Sequence, residues 1–283
     1  MNESIKNSDT KIISHAKVGI IGGGIMGVSL LYHLAKEGWK DLVLLEKGEL
    51  TSGSTWHAAG QCPQMMGSYN LAKIHQESNN LYKKLEKETE QPTGFHECGS
   101  LRIAYKKEDL DWFKYVKGIL DNIGAPSEII STNEIRKVHP FIKLDGILGA
   151  FHTPDDGHTD PTSTTNAMAI GARNYGAKIY RKNRVTDIKQ LPSGEWKLIT
   201  EKGDIICEHV VNAAGSYGPE VGAMVGLKNV PSINMIHHYL VTDEHPSIAK
   251  LKKELPVVRD PQASAYLRQE GKGLLIGPYE KNT

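Results

Sequence analysis

Lys17-Val18-Gly19-Ile20-Ile21-Gly22-Gly23-Gly24-Ile25-Met26-Gly27 joins a compact apolar run to a glycine-rich turn, and the rest of the chain is organised around it. Lys17 to Ile21 has the character of a buried parallel strand. Gly22, Gly24 and Gly27 then give G-x-G-x-x-G at the junction of strand and helix. In that pattern the first glycine permits a tight turn, the second lets backbone approach a pyrophosphate, and the third lets the helix lie close on the strand. The phosphates are expected where the N–H groups around Ile25 and Met26 and the positive end of the helix dipole both point. Val28, Leu31, Leu34 and Ala35 form the apolar stripe of the helix, and Gly38 stands where a left-handed C-terminal residue belongs. Leu42-Val43-Leu44-Leu45 predicts a second strand, which delivers Glu46 and then Lys47 at its carboxyl end. Glu46 lies 24 residues after Gly22, close to the position from which an acid accepts hydrogen bonds from an adenosine ribose. This order of strand, glycines, helix, strand and acid predicts a Rossmann-like dinucleotide-binding unit.

From these residues alone the dinucleotide is NAD or FAD. Thr51 to Gly60 is a run of small residues with one imidazole, and on composition it is either a cofactor-hugging loop or a plain surface loop. Ser54-Thr55-Trp56-His57-Ala58-Ala59-Gly60, at this distance after Leu45-Glu46-Lys47, resembles the segment of the dimethylglycine and sarcosine dehydrogenase family in which a histidine is joined covalently to the flavin. The resemblance implies FAD, with His57 as the attachment point and Ser54, Thr55, Ala58 and Gly60 beside the cofactor. A neutral imidazole, with an unperturbed pKa of ~6.5, is a competent nucleophile toward the electrophilic 8α carbon of an activated flavin.

At 283 residues the chain suggests one or two domains, and 39% hydrophobic with 24% charged residues is ordinary for a globular protein. A net charge of +1 without a basic block offers no footprint for nucleic acid or anionic membrane. Cys62, Cys98 and Cys207 make no metal or disulfide spacing, and Cys98 is expected to pack rather than react. Met1 to Ala16 is polar, contains Glu3 and Asp9 and lacks arginine. It resembles neither a secretory signal nor a transit peptide, so a short frayed tail and a cytoplasmic chain are expected. Val18 to Leu34 is interrupted by glycines and by Tyr32-His33, which argues against a membrane span.

Further along, Asn70 to Glu90 is expected to be helical with Leu71, Ile74, Leu81 and Leu85 inward, and Lys107 to Ile123 a second helix ended by Gly124. Between them Phe95 to Tyr105 predicts strands around Cys98-Gly99, with Leu101 and Ile103 alternating against Arg102. Asp155-Asp156-Gly157-His158-Thr159-Asp160-Pro161 holds acids and a histidine, but Thr159 or Asp160 with Pro161 reads as a helix start rather than a metal site. Short strands follow at 178–180, 185–190, 196–200 and 204–207. Val210-Val211-Asn212-Ala213-Ala214-Gly215 is a strand ending in small residues, which permits close approach to the cofactor. Ile233 to Thr242, Ala265 to Arg268 and Leu274 to Ile276 complete the β pattern. The expected organisation is a discontinuous cofactor domain, 17–91 and 159–232, with a substrate domain at 92–158 and 233–283.

The resemblance covers Lys17 to Glu280, including Leu267-Arg268-Gln269-Glu270 and Gly277-Pro278-Tyr279-Glu280. It implies the split FAD-binding fold of the D-amino-acid-oxidase group, an α/β fold with α+β elements in which a mixed-sheet substrate domain is interleaved. Val185 matches a position whose backbone meets the adenine, and Ala213, Ala214 and Gly215 match the cofactor-facing strand end. His237 and Tyr266 match a histidine and a tyrosine that face the flavin and act on an N-methyl amine. The implied reaction is hydride loss from dimethylglycine, favoured over sarcosine. Electrons would leave to an electron-transfer flavoprotein or oxygen, and tetrahydrofolate would enter only through a further C-terminal region. Family members continue beyond a strand like Leu274 to Ile276, so the chain is expected to be a fragment. Two alternatives stay open: an FAD enzyme for another amine or amino acid, and a non-catalytic flavin-binding or regulatory subunit.

Overall fold

Apolar runs buried on both faces and glycine-punctuated helices recur through the computed structural model, which describes residues 12–279. The first half holds β1 (His15–Ile21), α1 (Ile25–Lys36), β2 (Leu42–Leu45), β3 (Gln61–Cys62), α2 (Tyr69–Thr89), β4 (Ser100–Ala104), α3 (Lys107–Ile123), β5 (Glu128–Ile130) and α4 (Thr132–Val138). Then come β6 (Gly149–Thr153), β7 (Gly157–His158), α5 (Pro161–Asn174), β8 (Lys178–Tyr180), β9 (Val185–Gln190), β10 (Trp196–Thr200), β11 (Ile205–Asn212) and α6 (Gly218–Met224). β12 (Leu240–Val241), α7 (Pro246–Ala249), β13 (Val257–Asp260), β14 (Ala265–Glu270) and β15 (Gly273–Pro278) close the order. No helix among the described residues is long and apolar enough to cross a membrane.

The described residues divide into two compact units. One comprises 12–58, Leu85–Thr93 and Pro161–Met235; the other comprises Ala59–Lys84, Gly94–Asp160 and 236–279. In the first, a sheet runs β8-β2-β1-β11-β10-β9, parallel from β8 to β11 and antiparallel thereafter. β2 is buried at all four positions, which is why it is a continuous apolar run rather than an alternating one. β1 starts at His15, where His15 and Ala16 pair with Ile206 and Cys207, so the end of the expected tail is strand. Residues 1–11 of that tail lie outside the described residues. The segments expected separately at 204–207 and 210–212 are one strand, β11, because all of it can pair along β1.

In the second unit a sheet runs β12-β15-β14-β13-β4-β6-β5, with β13 parallel to β4 and the other pairs antiparallel. Leu101 and Ile103 of β4 pack with Ile130, Ile135 and Val258, as their alternation predicts. α3 ends at Gly124 with φ 72°, and Ser131 with Glu134 forms a capping box at α4.

Three expectations need correction. Leu71 and Ile74 are 50% and 61% exposed, whereas Ala72, Asn79 and Leu85 form the buried side of α2. The helix is rotated because Asn79 Nδ2 donates to the Cys62 carbonyl at 3.0 Å and Gln76 Nε2 to the Ile123 carbonyl at 3.3 Å. The Gln76 bond also ties 59–84 to the end of α3, and 59–84 group with the second unit, not with the dinucleotide-binding segments. Finally, Ile233 to Thr242 is strand only at Leu240–Val241, which pair with Ile276 and Leu275. β12 is the sheet edge, and Ile233, Met235 and Ile236 are 90%, 79% and 81% exposed, so their apolar character found no neighbouring strand to cover it.

Candidate functional site

The glycine turn assembles around backbone rather than side chains. Gly22 has φ 117°, and its N–H donates to the Leu45 carbonyl at 2.9 Å. A Cβ on Gly22 would overlap the Ala213 carbonyl oxygen, and one on Gly27 would overlap the carbonyl oxygen of Gly22. α1 starts after Gly24 without a side-chain cap and without an acid in its first turn. The first N–H groups of a helix have no intrahelical partner. Here the Ile25 N–H donates to Thr55 Oγ1 at 3.0 Å, and the Met26 side chain is exposed. A cradle of this kind, free of side-chain bulk and of first-turn carboxylates, fits the pyrophosphate of a dinucleotide such as FAD.

Glu46 is buried. Its Oε2 accepts from the Gly23 N–H at 2.7 Å and its Oε1 from the Gly48 N–H at 2.6 Å. The carboxylate expected to meet a ribose thus also braces the glycine turn, and each oxygen keeps lone-pair capacity for a further donor. Gly22, Glu46, Lys47, Val185, Ala214 and Tyr217 line one pocket of this unit. Five of these were singled out from sequence; Tyr217 was not. Lys47 Nζ lies 3.1 Å from the centroid of the Tyr217 ring, a cation–π contact at the pocket. An aromatic residue two positions after Asn212-Ala213-Ala214-Gly215 was the signal available, because Gly215 opens a short 3-10 turn that presents it.

Ser54–His57 forms another 3-10 turn, and none of its residues is buried. The Thr51 N–H donates to the Gly23 carbonyl at 3.0 Å and the Ala58 N–H to the Thr55 carbonyl at 3.2 Å. With the Thr55 to Ile25 bond, this fastens the histidine-bearing turn to the glycine turn. The exposed His57 imidazole lies against Trp56, with ring centroids 3.7 Å apart. Gly60 belongs to the second unit, where its carbonyl accepts from the Thr159 N–H at 2.9 Å.

In the second unit, His237 and Tyr266 come together with Tyr279. His237 stacks on Tyr279 at 4.4 Å between centroids, and Tyr266 lies 5.8 Å from His237 and 5.6 Å from Tyr279. His237 is in irregular backbone, not in the strand expected over Ile233 to Thr242. Burial, and then the neighbouring phenols Tyr279 and Tyr239, push the Tyr266 hydroxyl above its ordinary range and keep it a donor at neutral pH.

The same sheet face carries two arginines that sequence reading passed over. Arg102 on β4 lies beside Arg259 on β13, and Arg259 lies opposite Tyr266 on β14. Gln61, Met65, Ser100, Arg102, Val257 and Arg259 line a pocket there. Burial first, and then the charge of Arg259, holds the Arg102 guanidinium below its ordinary range. Among the described residues no hydrogen bond or ion pair engages either guanidinium, Arg102 lies 5.0 Å from the Trp112 ring centroid, and both amide atoms of Gln61 are buried without a partner. This is the chemistry of a binding site for a small anion. The alternation of Arg102 with Leu101 and Ile103 was legible; Arg259 was not, because β13 is too short to announce itself. Cys98 plays no part, since burial pushes its thiol up to about 12, the opposite of activation.

Comparison with known proteins gives the family. Mitochondrial dimethylglycine dehydrogenase of Rattus norvegicus is 48% identical over 265 residues, which are 94% of this chain and 31% of that protein. The mitochondrial pyruvate dehydrogenase phosphatase regulatory subunit of Mus musculus is 35% identical over 274 residues, 95% of this chain and 30% of that protein. The chain thus spans about 30% of the length of these curated relatives. Among solved structures, L-proline dehydrogenase from P. horikoshii superposes with a TM-score of 0.81 at 28% identity, covering 94% of this chain and 70% of that one. The family model described as DAO, FAD dependent oxidoreductase, matches residues 17–283, so the chain belongs to that family of FAD-dependent oxidoreductases.

Proposed function

We propose that the chain forms the flavin- and amine-binding part of an enzyme that oxidises an N-methylated glycine, dimethylglycine ahead of sarcosine. The observation that carries this reading is the pocket with two guanidiniums outside any ion pair and the orphaned Gln61 amide, beside Tyr266. Such a pocket suits a small molecule that bears a carboxylate. The 48% identity with dimethylglycine dehydrogenase supports the N-methyl amine as its other end.

The residues that would hold FAD are Gly22, Gly24, Ile25, Met26 and Gly27 around the pyrophosphate, Glu46 and Lys47 toward the ribose and adenine, and Val185, Ala213, Ala214 and Gly215 at the strand ends. Ser54, Thr55, Ala58 and Gly60 would flank the ring, and exposed His57 would carry the covalent bond. When bound, the flavin supplies an acceptor for a hydride from the N-methyl carbon. Arg102 and Arg259 fix the substrate carboxylate by charge-assisted hydrogen bonds. His237 takes the ammonium proton, because a protonated amine has no lone pair to share with the forming C=N bond. Tyr266, held protonated, donates a hydrogen bond that orients the amine. An electron-transfer flavoprotein or oxygen takes the electrons onward, and any role for tetrahydrofolate belongs to a further region of the protein.

The 35% identity with a phosphatase regulatory subunit favours one second reading, a flavin-binding subunit without turnover. Anaerobic titration of the yellow protein separates the two. Bleaching by dimethylglycine at lower concentration than by sarcosine is expected; no bleaching by any amine would transfer the assignment to the regulatory reading. Covalent attachment through His57 is read from the denatured chain, which should stay yellow, and from His57→Ala, which should release the colour into the filtrate.

A further inference from the structure

His158 lies in the Asp155–Pro161 turn, which by itself is a helix start. The structure brings it to two residues far away in sequence. His96 and His158 form an antiparallel β-bridge, with the His96 N–H donating to the His158 carbonyl at 2.8 Å and the His158 N–H to the His96 carbonyl at 3.2 Å. Directly opposed residues of such a bridge project to the same side. The two imidazoles accordingly stack, with centroids 4.8 Å apart and planes 21° from parallel. Glu254 closes the group: its Oε2 is 2.7 Å from His96 Nδ1 and its Oε1 2.7 Å from His158 Nε2.

The backbone under all three residues is tied down. The Leu255 N–H donates to Gln269 Oε1 at 3.1 Å and the Val257 N–H to the Gly99 carbonyl at 2.9 Å, which sets the position of Glu254. The two ring nitrogens and the carboxylate oxygen that could act as ligands all lie within 4.8 Å of one another. His158 is buried, whereas the His96 side chain is 53% exposed, so one side of the group is open to water.

We propose that His96, His158 and Glu254 bind one divalent transition-metal ion of the zinc class, clasping the segments around residues 96, 158 and 254. Tetrahedral zinc with bonds of about 2.0–2.2 Å sets its ligand atoms roughly 3.3–3.5 Å apart. To reach that spacing the Glu254 to histidine separations need open by less than about 1 Å, and the widest separation in the group need close by about 1.3 Å. Two imidazoles and one carboxylate select zinc, cobalt or nickel over magnesium or calcium, and water from the open side completes the shell. With neutral histidines, metal entry moves each ring N–H to the other nitrogen of the same imidazole, so no net proton need be released. The group shares no residue with the flavin cradle or the arginine pocket, although His158 pairs with Gln61 of that pocket, and metal binding is read without any amine turnover.

The test is titration of the full chain with Co2+ and Zn2+, by visible absorption for cobalt and by chelator competition for zinc. One equivalent of cobalt with an intense tetrahedral spectrum is expected, displaced by zinc, together with a zinc-dependent rise in the unfolding midpoint. His96→Ala, an exposed position that should leave the fold intact, is expected to weaken binding by more than about tenfold. His152→Ala, which removes the separate His152–Glu128 pair, should not. Stoichiometry other than one, a weak octahedral spectrum, or equal affinity in His96→Ala would overturn the assignment. Circular dichroism of Glu254→Gln checks its fold, and if that variant does not fold, His96→Ala decides.

Discussion

Gly27 approaches Gly22 so closely that a Cβ on Gly27 would sit inside the Gly22 carbonyl oxygen. The obstacle is backbone, which has no rotamer by which to give way. Gly27→Ala should therefore push α1 away from the turn, at a cost of about 1–3 kcal/mol. The expected outcome is a chain that folds with a lower unfolding midpoint and has lost its flavin absorbance. Retention of full flavin content would show that the close approach is not needed for the cradle.

Half-buried Arg102 and exposed Arg259 hold like charges side by side, an arrangement that a bound carboxylate relieves. Hydrogen bonds to charged groups contribute about 1.5–3 kcal/mol. Arg102→Met or Arg259→Met should raise KM for dimethylglycine by roughly 10- to 100-fold with a smaller change in kcat. His237→Ala should do the reverse and slow flavin reduction while KM moves little. Stopped-flow reduction across a substrate series resolves both patterns.

Asp156 is fully buried; its Oδ2 accepts from Ser100 Oγ at 2.6 Å and its Oδ1 from the Gln64 N–H at 2.9 Å. Burial raises its pKa from 3.8 to about 6, outweighing those hydrogen bonds. The folded state therefore holds the proton more tightly than the unfolded state. Its contribution is fully present below about pH 4 and is lost as pH rises to about 6. The change is about 3 kcal/mol. Asp156→Asn keeps an acceptor for Gln64 and a donor for Ser100, so denaturant unfolding at pH 4.5 and 7 should show that this slope is gone.

His139 carries the opposite sign. It is 2% exposed, neither ring nitrogen has a partner, and burial lowers its pKa from 6.5 to about 4. Its contribution is present above pH 6.5 and is lost as pH falls toward 4. His139→Leu should remove that acid sensitivity and, by eliminating an unpaired buried polar group, stabilise the chain by about 1 kcal/mol at neutral pH. Calorimetry at pH 5 and 7.5 checks both parts.

The features legible in the sequence are those that a few adjacent residues decide. The positive φ of Gly22 and the close approach of Gly27 to Gly22 are local constraints, and Gly124 and the Ser131 to Glu134 box mark helix ends by hydrogen bonds spanning three or four residues. Lys47 and Ala214 could be named beforehand because each adjoins a strand end legible in the apolar pattern, whereas Val185 came only from the family resemblance. Tyr217 was missed because its value lies in facing Lys47, 170 positions earlier in the chain.

Tertiary structure alone decided which face of α2 is buried, since Leu71 and Ile74 fit the helical period yet Asn79 found the Cys62 carbonyl. It also decided that Arg102 and Arg259 share a pocket and that His96, His158 and Glu254 meet. The physical reason is common to all of these: side-chain period and turn chemistry act over one helical turn or one strand. Burial of a charge and convergence of ligands, by contrast, depend on strand order, and in this chain β13 pairs with a strand more than 150 residues earlier.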